Sequence, residues 1–231
     1  MRIGHFAAVI GMRQQEKNLA VIANNLANVG TAGYKKENAH FSDYVYQTTY
    51  TSMEQGPVKT TQQSLDLALT GEGFFRVQTE DGILYTRNGN FTLNEENELV
   101  TQEGWPVLGE GGPIQVASSQ VRIERDGQVF DKQEGEEEYE LAGMLDIVEF
   151  PGDVLLEKAR NGYFKPKDED LEPMPAEATR VQQGALENPN FTAVEEMTRL
   201  IDSQRIFEAY TKILQVFDHQ DSQLISKLGS Q

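Results

Sequence analysis

Cysteine is absent from the 231-residue chain, so no disulfide framework, thiolate metal site or cysteine nucleophile exists, and thiol usage says nothing about the compartment. Bases are scarce: 20 Lys and Arg face 37 Asp and Glu, for a net charge of −17. That sign argues against nucleic acid or an anionic membrane as the main partner. Apolar residues make up 38% of the chain and the mean hydropathy is −0.53, enough for a modest core but leaving much of the chain against water or a partner. No apolar run approaches the roughly 18 residues that span a bilayer, so no membrane insertion is expected. Met1 to Ile10 is superficially signal-like, but it runs into Arg13, Gln14, Gln15, Glu16 and Lys17 with no small-residue cleavage pattern, and reads as mature protein.

Charge is unevenly distributed. Residues 1–36 carry a net +4, 185–231 a net −3, and 37–184 hold −18. Opposite signs on the two ends favour their pairing weakly and in a salt-sensitive way. Both ends read as helices. Leu19, Ile22, Leu26 and Val29 form one apolar stripe, and Ile3, Phe6 and Ile10 an earlier one. This helix is expected to stop near Asn28, with Gly30 taking the left-handed cap conformation. At the other end Leu200, Phe207, Tyr210, Leu214, Phe217, Leu224 and Leu228 share the a and d positions of one heptad frame, interrupted by Ser203 and Asp221. Thr192 and Glu195 have capping-box spacing, which predicts a helix over 192–228, about 54 Å long. A seam of that length is buried only against another helix, from the same chain or from neighbours.

The middle reads as β structure. Leu65-Asp66-Leu67-Ala68-Leu69 alternates, Asp81-Gly82 predicts a hairpin between 75–79 and 83–87, and Asn88-Gly89 marks a further turn. Short strands follow at 91–93, 98–100, 121–124, 128–130 and 145–150. The expected fold class is α+β: a central antiparallel β domain, barrel-like or sandwich-like, flanked by long N- and C-terminal helices that form a coiled-coil layer.

No catalytic constellation emerges. His5, His40 and His219 are far apart and lack an i+4 partner, so no metal site is assigned. Thr70-Gly71-Glu72-Gly73-Phe74 lacks the third glycine of a dinucleotide loop, and Lys167-Asp168-Glu169-Asp170-Leu171-Glu172 lacks the turn glycine and spaced ligands of a calcium loop. The acidic cluster 134–140 reads as a solvated loop. The expectation is a non-enzyme with no cofactor and no metal.

Three segments carry a resemblance. Ile22-Ala23-Asn24-Asn25-Leu26-Ala27-Asn28-Val29-Gly30-Thr31-Ala32-Gly33-Tyr34-Lys35-Lys36 resembles the N-terminal signature of the bacterial flagellar axial proteins, the rod and hook subunits. Asn is a poor helix-interior residue, so propensity alone does not produce such a helix exit. Leu65 to Phe75 with Tyr85-Thr86-Arg87-Asn88-Gly89-Asn90-Phe91 is similar to the family's central β motif. Gln183-Gly184-Ala185-Leu186-Glu187-Asn188-Pro189-Asn190, continuing through Gln204 to Tyr210, is similar to its C-terminal helix signature.

The resemblance implies a structural subunit of the flagellar basal-body rod, self-assembling through its terminal helices into a helical axial tube that transmits torque. It implies export without a cleaved signal through the flagellar type III export apparatus, a place in the rod crossing the periplasm, and terminal segments disordered in the free subunit. Partners would be other copies of the chain and other rod and hook axial proteins. Only 35–64 separates the first helix from the Leu-Asp-Leu strand, which fits the proximal rod type; the distal rod subunit, a secreted β-domain binding module and a β-fold hydrolase using Asp/Glu pairs are the alternatives. Expected domains are 1–33 with 185–231 for assembly, 34–64 as an extended connection and 65–184 as the outer β domain. The candidate assembly residues are Leu19, Ile22, Asn24, Asn25, Leu26, Asn28, Leu200, Phe207, Tyr210, Leu214, Phe217 and Leu224.

Overall fold

The structure, a computed structural model, describes residues 2–42, 45–118, 120–133, 138–151, 156–160, 162–168 and 171–228. Much of the acidic cluster 134–140 and part of the loop at 167–172 lie outside the described residues, as do the side chains of Ile3, Leu224 and Leu228. Two long helices, α1 (Arg2–Ala27) and α2 (Ala193–Leu228), bracket a run of antiparallel strands, so the fold is α+β. The chain divides into two compact units: residues 1–29, 36–52 and 191–231 form the helical unit, and 30–35 with 53–190 form the β unit.

In the helical unit the two helices run antiparallel, and their contacts step by seven residues along each. A Cβ on Gly4 would lie 3.1 Å from the Phe217 ring, and one on Gly11 would lie 2.4 Å from that of Tyr210. One heptad further, Asn18 Nδ2 donates to Ser203 Oγ at 3.2 Å, and a heptad beyond that Asn25 Nδ2 donates to Glu196 Oε2 at 3.2 Å. The glycines are notches that admit two aromatic rings close to the α1 backbone, where a side chain would hold the helices apart. The strands Glu37–Ser42 and Val45–Thr51 complete this unit as an antiparallel hairpin with a bulge after His40.

Helix ends follow local chemistry. At the start of α2, Thr192 Oγ1 accepts from the Glu195 backbone N–H at 3.3 Å, the first half of the expected capping box, and Glu195 and Glu196 place negative charge in the first turn. At the end of α1 the expected glycine cap is displaced. Gly33, at φ +66°, is left-handed and Gly30 is not, because the helix stops at Ala27 and the Asn28 side chain donates back to the Asn24 carbonyl at 2.9 Å.

The β unit contains a six-stranded antiparallel sheet in the order Leu156–Arg160, Tyr163–Pro166, Gly82–Thr86, Phe74–Thr79, Ile147–Glu149, Met174–Pro175. Its central hairpin closes between Thr79 and Gly82, the glycine at φ +113°, as the Asp81-Gly82 pair predicts. A three-stranded sheet (Val121–Ile123, Gln128–Asp131, Glu140–Met144) and several two-stranded ribbons surround it. The barrel expectation is not met: no closed barrel forms among the described residues. The strands are short and fall into separate sheets, and the six-stranded sheet ends in two different outer strands instead of joining them.

Strand alternation divides the interior. Phe75, Leu67, Leu69, Phe91, Leu99, Val107, Val129, Leu145 and Val181 fill the main core, while Phe74, on the opposite face, packs with Tyr85, Val148 and Phe164. Gly89 is required where it stands, since a Cβ there would meet the Leu67 carbonyl oxygen at 1.8 Å.

Candidate functional site

Two polar constellations stand out, one in each unit. In the helical unit Asn25 is fully buried, and its side-chain amide imitates a strand residue: Oδ1 accepts from the Glu37 backbone N–H at 3.0 Å and Nδ2 donates to the Glu37 carbonyl at 2.8 Å. Asn24 Nδ2 adds a bond to the Glu37 carboxylate at 2.8 Å. The second contact of Asn25 Nδ2 is Glu196, fully buried as well, whose Oε1 receives Lys36 Nζ and Arg199 Nη1, each at 2.8 Å. Burial pushes the Glu196 carboxyl up, but the bonds from Lys36, Arg199 and Asn25 outweigh it and hold the group below the usual glutamate range. The stabilisation is therefore present above the ordinary glutamate pKa and is lost as the pH falls through the lower folded value. The Asn-rich helix exit thus has a physical role: the Asn25 and Asn28 amides satisfy backbone groups where helix gives way to hairpin, and Asn24 holds the Glu37 side chain beside them.

In the β unit Glu187 accepts from two buried bases, Lys35 Nζ at 2.7 Å and Arg87 Nη1 at 3.4 Å, and from the Gly56 N–H at 2.8 Å. All three side chains are at most 3% exposed. Lys35 also donates to the Glu54 carbonyl at 2.7 Å, and Arg87 Nη2 to the Gly71 carbonyl at 2.6 Å, with its guanidinium over the Phe74 ring. Burial pushes the Lys35 ammonium below its usual range, and Glu187 offsets only part of that. Gly33 lets the chain approach: its N–H donates to the Glu187 carbonyl at 2.7 Å, and a Cβ there would lie 2.3 Å from the Arg87 backbone.

The proposed assembly residues fall out unevenly. Ile22, Asn25 and Asn28 are buried; Leu19, Asn24 and Leu26 are half-buried. Leu200, Phe207, Tyr210, Leu214 and Phe217 are half-buried along one stripe of α2, with Tyr210 and Phe217 over the α1 glycines. The Leu224 side chain lies outside the described residues. Phe6, by contrast, is 66% exposed. Stripe counting has Ser203 on the α2 seam only as an interruption, and it misses Gly4, Gly11 and Glu196, none of which is a large apolar residue, and the Lys35–Glu187–Arg87 cluster, whose members are distant in sequence. Among the described residues no group of three or more His, Asp or Glu is placed to hold a metal ion, and no helix is long and apolar enough to cross a membrane.

Three family models match in succession: a flagella basal body rod protein model over 7–35, the D1 domain of the flagellar hook protein FlgE/F/G over 68–130, and the C-terminal region of the flagellar basal body rod FlgEFG proteins over 182–227. The flagellar basal-body rod protein FlgG of Buchnera aphidicola subsp. Acyrthosiphon pisum is 32% identical over 255 positions covering 95% of each chain. The chain belongs to the flagellar basal-body rod protein family. Similar matches include FlgG of Agrobacterium fabrum, 31% identical over 95% of this chain and 97% of that one, and FlgF of Caulobacter vibrioides, 32% identical over 96% and 98%.

This rod protein is thus a structural subunit of the flagellar basal body. The buried triad of its β unit takes one residue from each matched segment: Lys35, Arg87 and Glu187. The 255 aligned positions exceed the chain's own 231 residues, so the Buchnera relative carries segments absent here.

Proposed function

We propose that this rod protein is a non-catalytic subunit that self-assembles through its terminal helices into a helical axial tube transmitting torque. The observation that carries this is α2: 36 residues long, paired with a 26-residue α1, its packed seam still half-open and its other sides bearing exposed Val194, Met197, Ile201, Ile206, Ile213 and Val216. A helix in that state gains burial only from neighbours. The assembly set is Leu19, Ile22, Asn24, Asn25, Leu26, Asn28, Leu200, Phe207, Tyr210, Leu214, Phe217 and Leu224; the buried polar members fix register within a subunit, and the half-covered apolar members complete their burial between subunits. The two terminal helices carry the assembly contacts as a coiled-coil layer, and the acidic charge of 65–184 limits aggregation before assembly, because like charges repel.

Its partners are further copies of itself, other rod and hook axial proteins and the type III export apparatus, without nucleic acid or membrane insertion. It leaves the cell without a cleaved signal and takes its place in the rod across the periplasm. The short interval 35–64 favours the proximal over the distal rod type. Deleting 191–231 tests the reading. The β unit should stay folded, reported by Trp105, while the protein is lost from isolated basal bodies; normal incorporation would refute assembly through the terminal helices.

A further inference from the structure

Two strands of the β unit leave a backbone edge open. Val58–Thr60 pairs only with Ala185–Glu187, and all three of its residues are exposed. Glu140–Met144 is the last strand of the three-stranded sheet, and among the described residues its outer backbone bonds only at Met144, whose carbonyl accepts from the Glu110 N–H at 3.0 Å. Such edges are templates for a further strand.

The ladders fix which groups point outward. The Asn188 N–H donates to the Pro57 carbonyl at 2.9 Å and the Thr61 N–H to the Gly184 carbonyl at 2.8 Å, so by alternation Val58 and Thr60 turn their N–H and C=O groups to the open edge. On the other strand the phase comes from its neighbour. The Glu124 N–H donates to the Gln128 carbonyl at 2.9 Å, so Gln128 and Phe130 bond towards Val121–Ile123. Phe130 stands opposite Leu141, which leaves the backbone of Leu141, and of Tyr139 in the same phase, turned outward. Both side chains are exposed, Leu141 at 59% and Tyr139 at 41%.

We propose that Val58–Thr60 of one copy adds antiparallel to 139–141 of a second copy, with Val58 opposite Leu141, Lys59 opposite Glu140 and Thr60 opposite Tyr139. The inference rests on the assembly reading above and names a contact outside the terminal helices. One register satisfies three demands together. The outward groups meet in two pairs that each exchange their N–H and C=O bonds, and Val58 and Thr60 cover Leu141 and Tyr139 on one face. Lys59, exposed and without a partner among the described residues, falls across from the Glu140 carboxylate on the other face. A shift of one residue sets outward groups against inward ones. Parallel pairing with Val58 at Leu141 sets Lys59 at Ala142 and loses the acid. Because two different edges meet, each copy keeps one unused edge of each kind, and the array grows without closing.

The chain has no cysteine, and opposed residues of such a pair have Cα atoms about 5.5 Å apart, within disulfide reach. Differently tagged Val58→Cys and Leu141→Cys chains are co-expressed in the source bacterium, and isolated basal bodies are oxidised with oxygen and a copper catalyst. The result expected is a dimer carrying both tags on a non-reducing gel, absent when Lys59→Cys replaces Val58→Cys, since residue 59 points to the other face. Lys59→Glu should impair swimming while the Trp105-monitored unfolding of the purified chain stays unchanged, and Lys59→Glu/Glu140→Lys should restore swimming. If the wild-type chain is present in basal bodies but 58 and 141 do not link, or 59 links equally to 141, or Lys59→Glu cells swim normally, this contact is refuted and the assembly reading stands. Absence of the wild-type chain from basal bodies would overturn both.

Discussion

Replacing Glu187 by Gln keeps the shape of the buried triad and removes its only negative charge. Lys35 and Arg87, both almost fully buried, would keep their bonds to the Glu54 and Gly71 carbonyls but lose their counter-ion. Breaking a buried ion pair by neutralising one partner costs about 3–5 kcal/mol, a large part of the roughly 5–15 kcal/mol that holds a domain together. At about 2–4 °C per kcal/mol, a cooperative transition of a chain this size should fall by roughly 6–20 °C. The single tryptophan, Trp105, packs against Tyr163 with ring centroids 5.1 Å apart inside the β unit, so its fluorescence during urea or thermal unfolding reads this unit alone.

A pH arm separates charge from packing. The folded Lys35 pKa lies below its unfolded value of 10.5, so between the two the unfolded chain binds more protons and stability rises with pH. In Glu187→Gln the supporting carboxylate is gone and the folded value falls further. The deficit should therefore shrink as the pH is raised from 7 towards 10, and Lys35→Met added to Glu187→Gln should regain part of it at pH 7. A loss below about 1 kcal/mol that does not change with pH would refute the reasoning.

The helical unit yields two further expectations. Asn25→Ala strips both polar groups of the Glu37 backbone and one Glu196 oxygen of their partner, and should cost about 2–4 kcal/mol in helix melting followed by far-UV circular dichroism. Gly11→Ala places a Cβ 2.4 Å from the Tyr210 ring and should cost about 1–3 kcal/mol in the same assay, with Tyr210→Leu relieving most of it; a Gly11→Ala chain as stable as the wild type would show that the notch is not needed.

How much of this is legible in the sequence follows from the range of each signal. The Asp81-Gly82 turn and the Thr192–Glu195 cap act within a few residues, and the structure has both where the sequence predicts them. The contact face of α1 is not legible in the same way, because a search for apolar stripes weights Leu19 and Leu26 and passes over Gly4, Gly11 and Asn25, whose value lies in small size or hydrogen bonding. The need for glycine at 33 is not legible locally either, because it comes from a close approach to Arg87 and Glu187, which are distant in sequence. Closure of a sheet depends on pairing between remote strands, so short alternating segments predict antiparallel strands correctly but, in leaving barrel-like and sandwich-like arrangements both open, do not tell that no closed barrel forms among the described residues.

The central claim is that the terminal helices complete their burial between subunits. Deuterium uptake of 193–223, compared between the purified chain and isolated basal bodies, measures it directly. Uptake should slow strongly in the rod while the core strand Leu67–Thr70 exchanges at the same rate in both. Equal protection of α2 in the free and assembled protein would contradict the account.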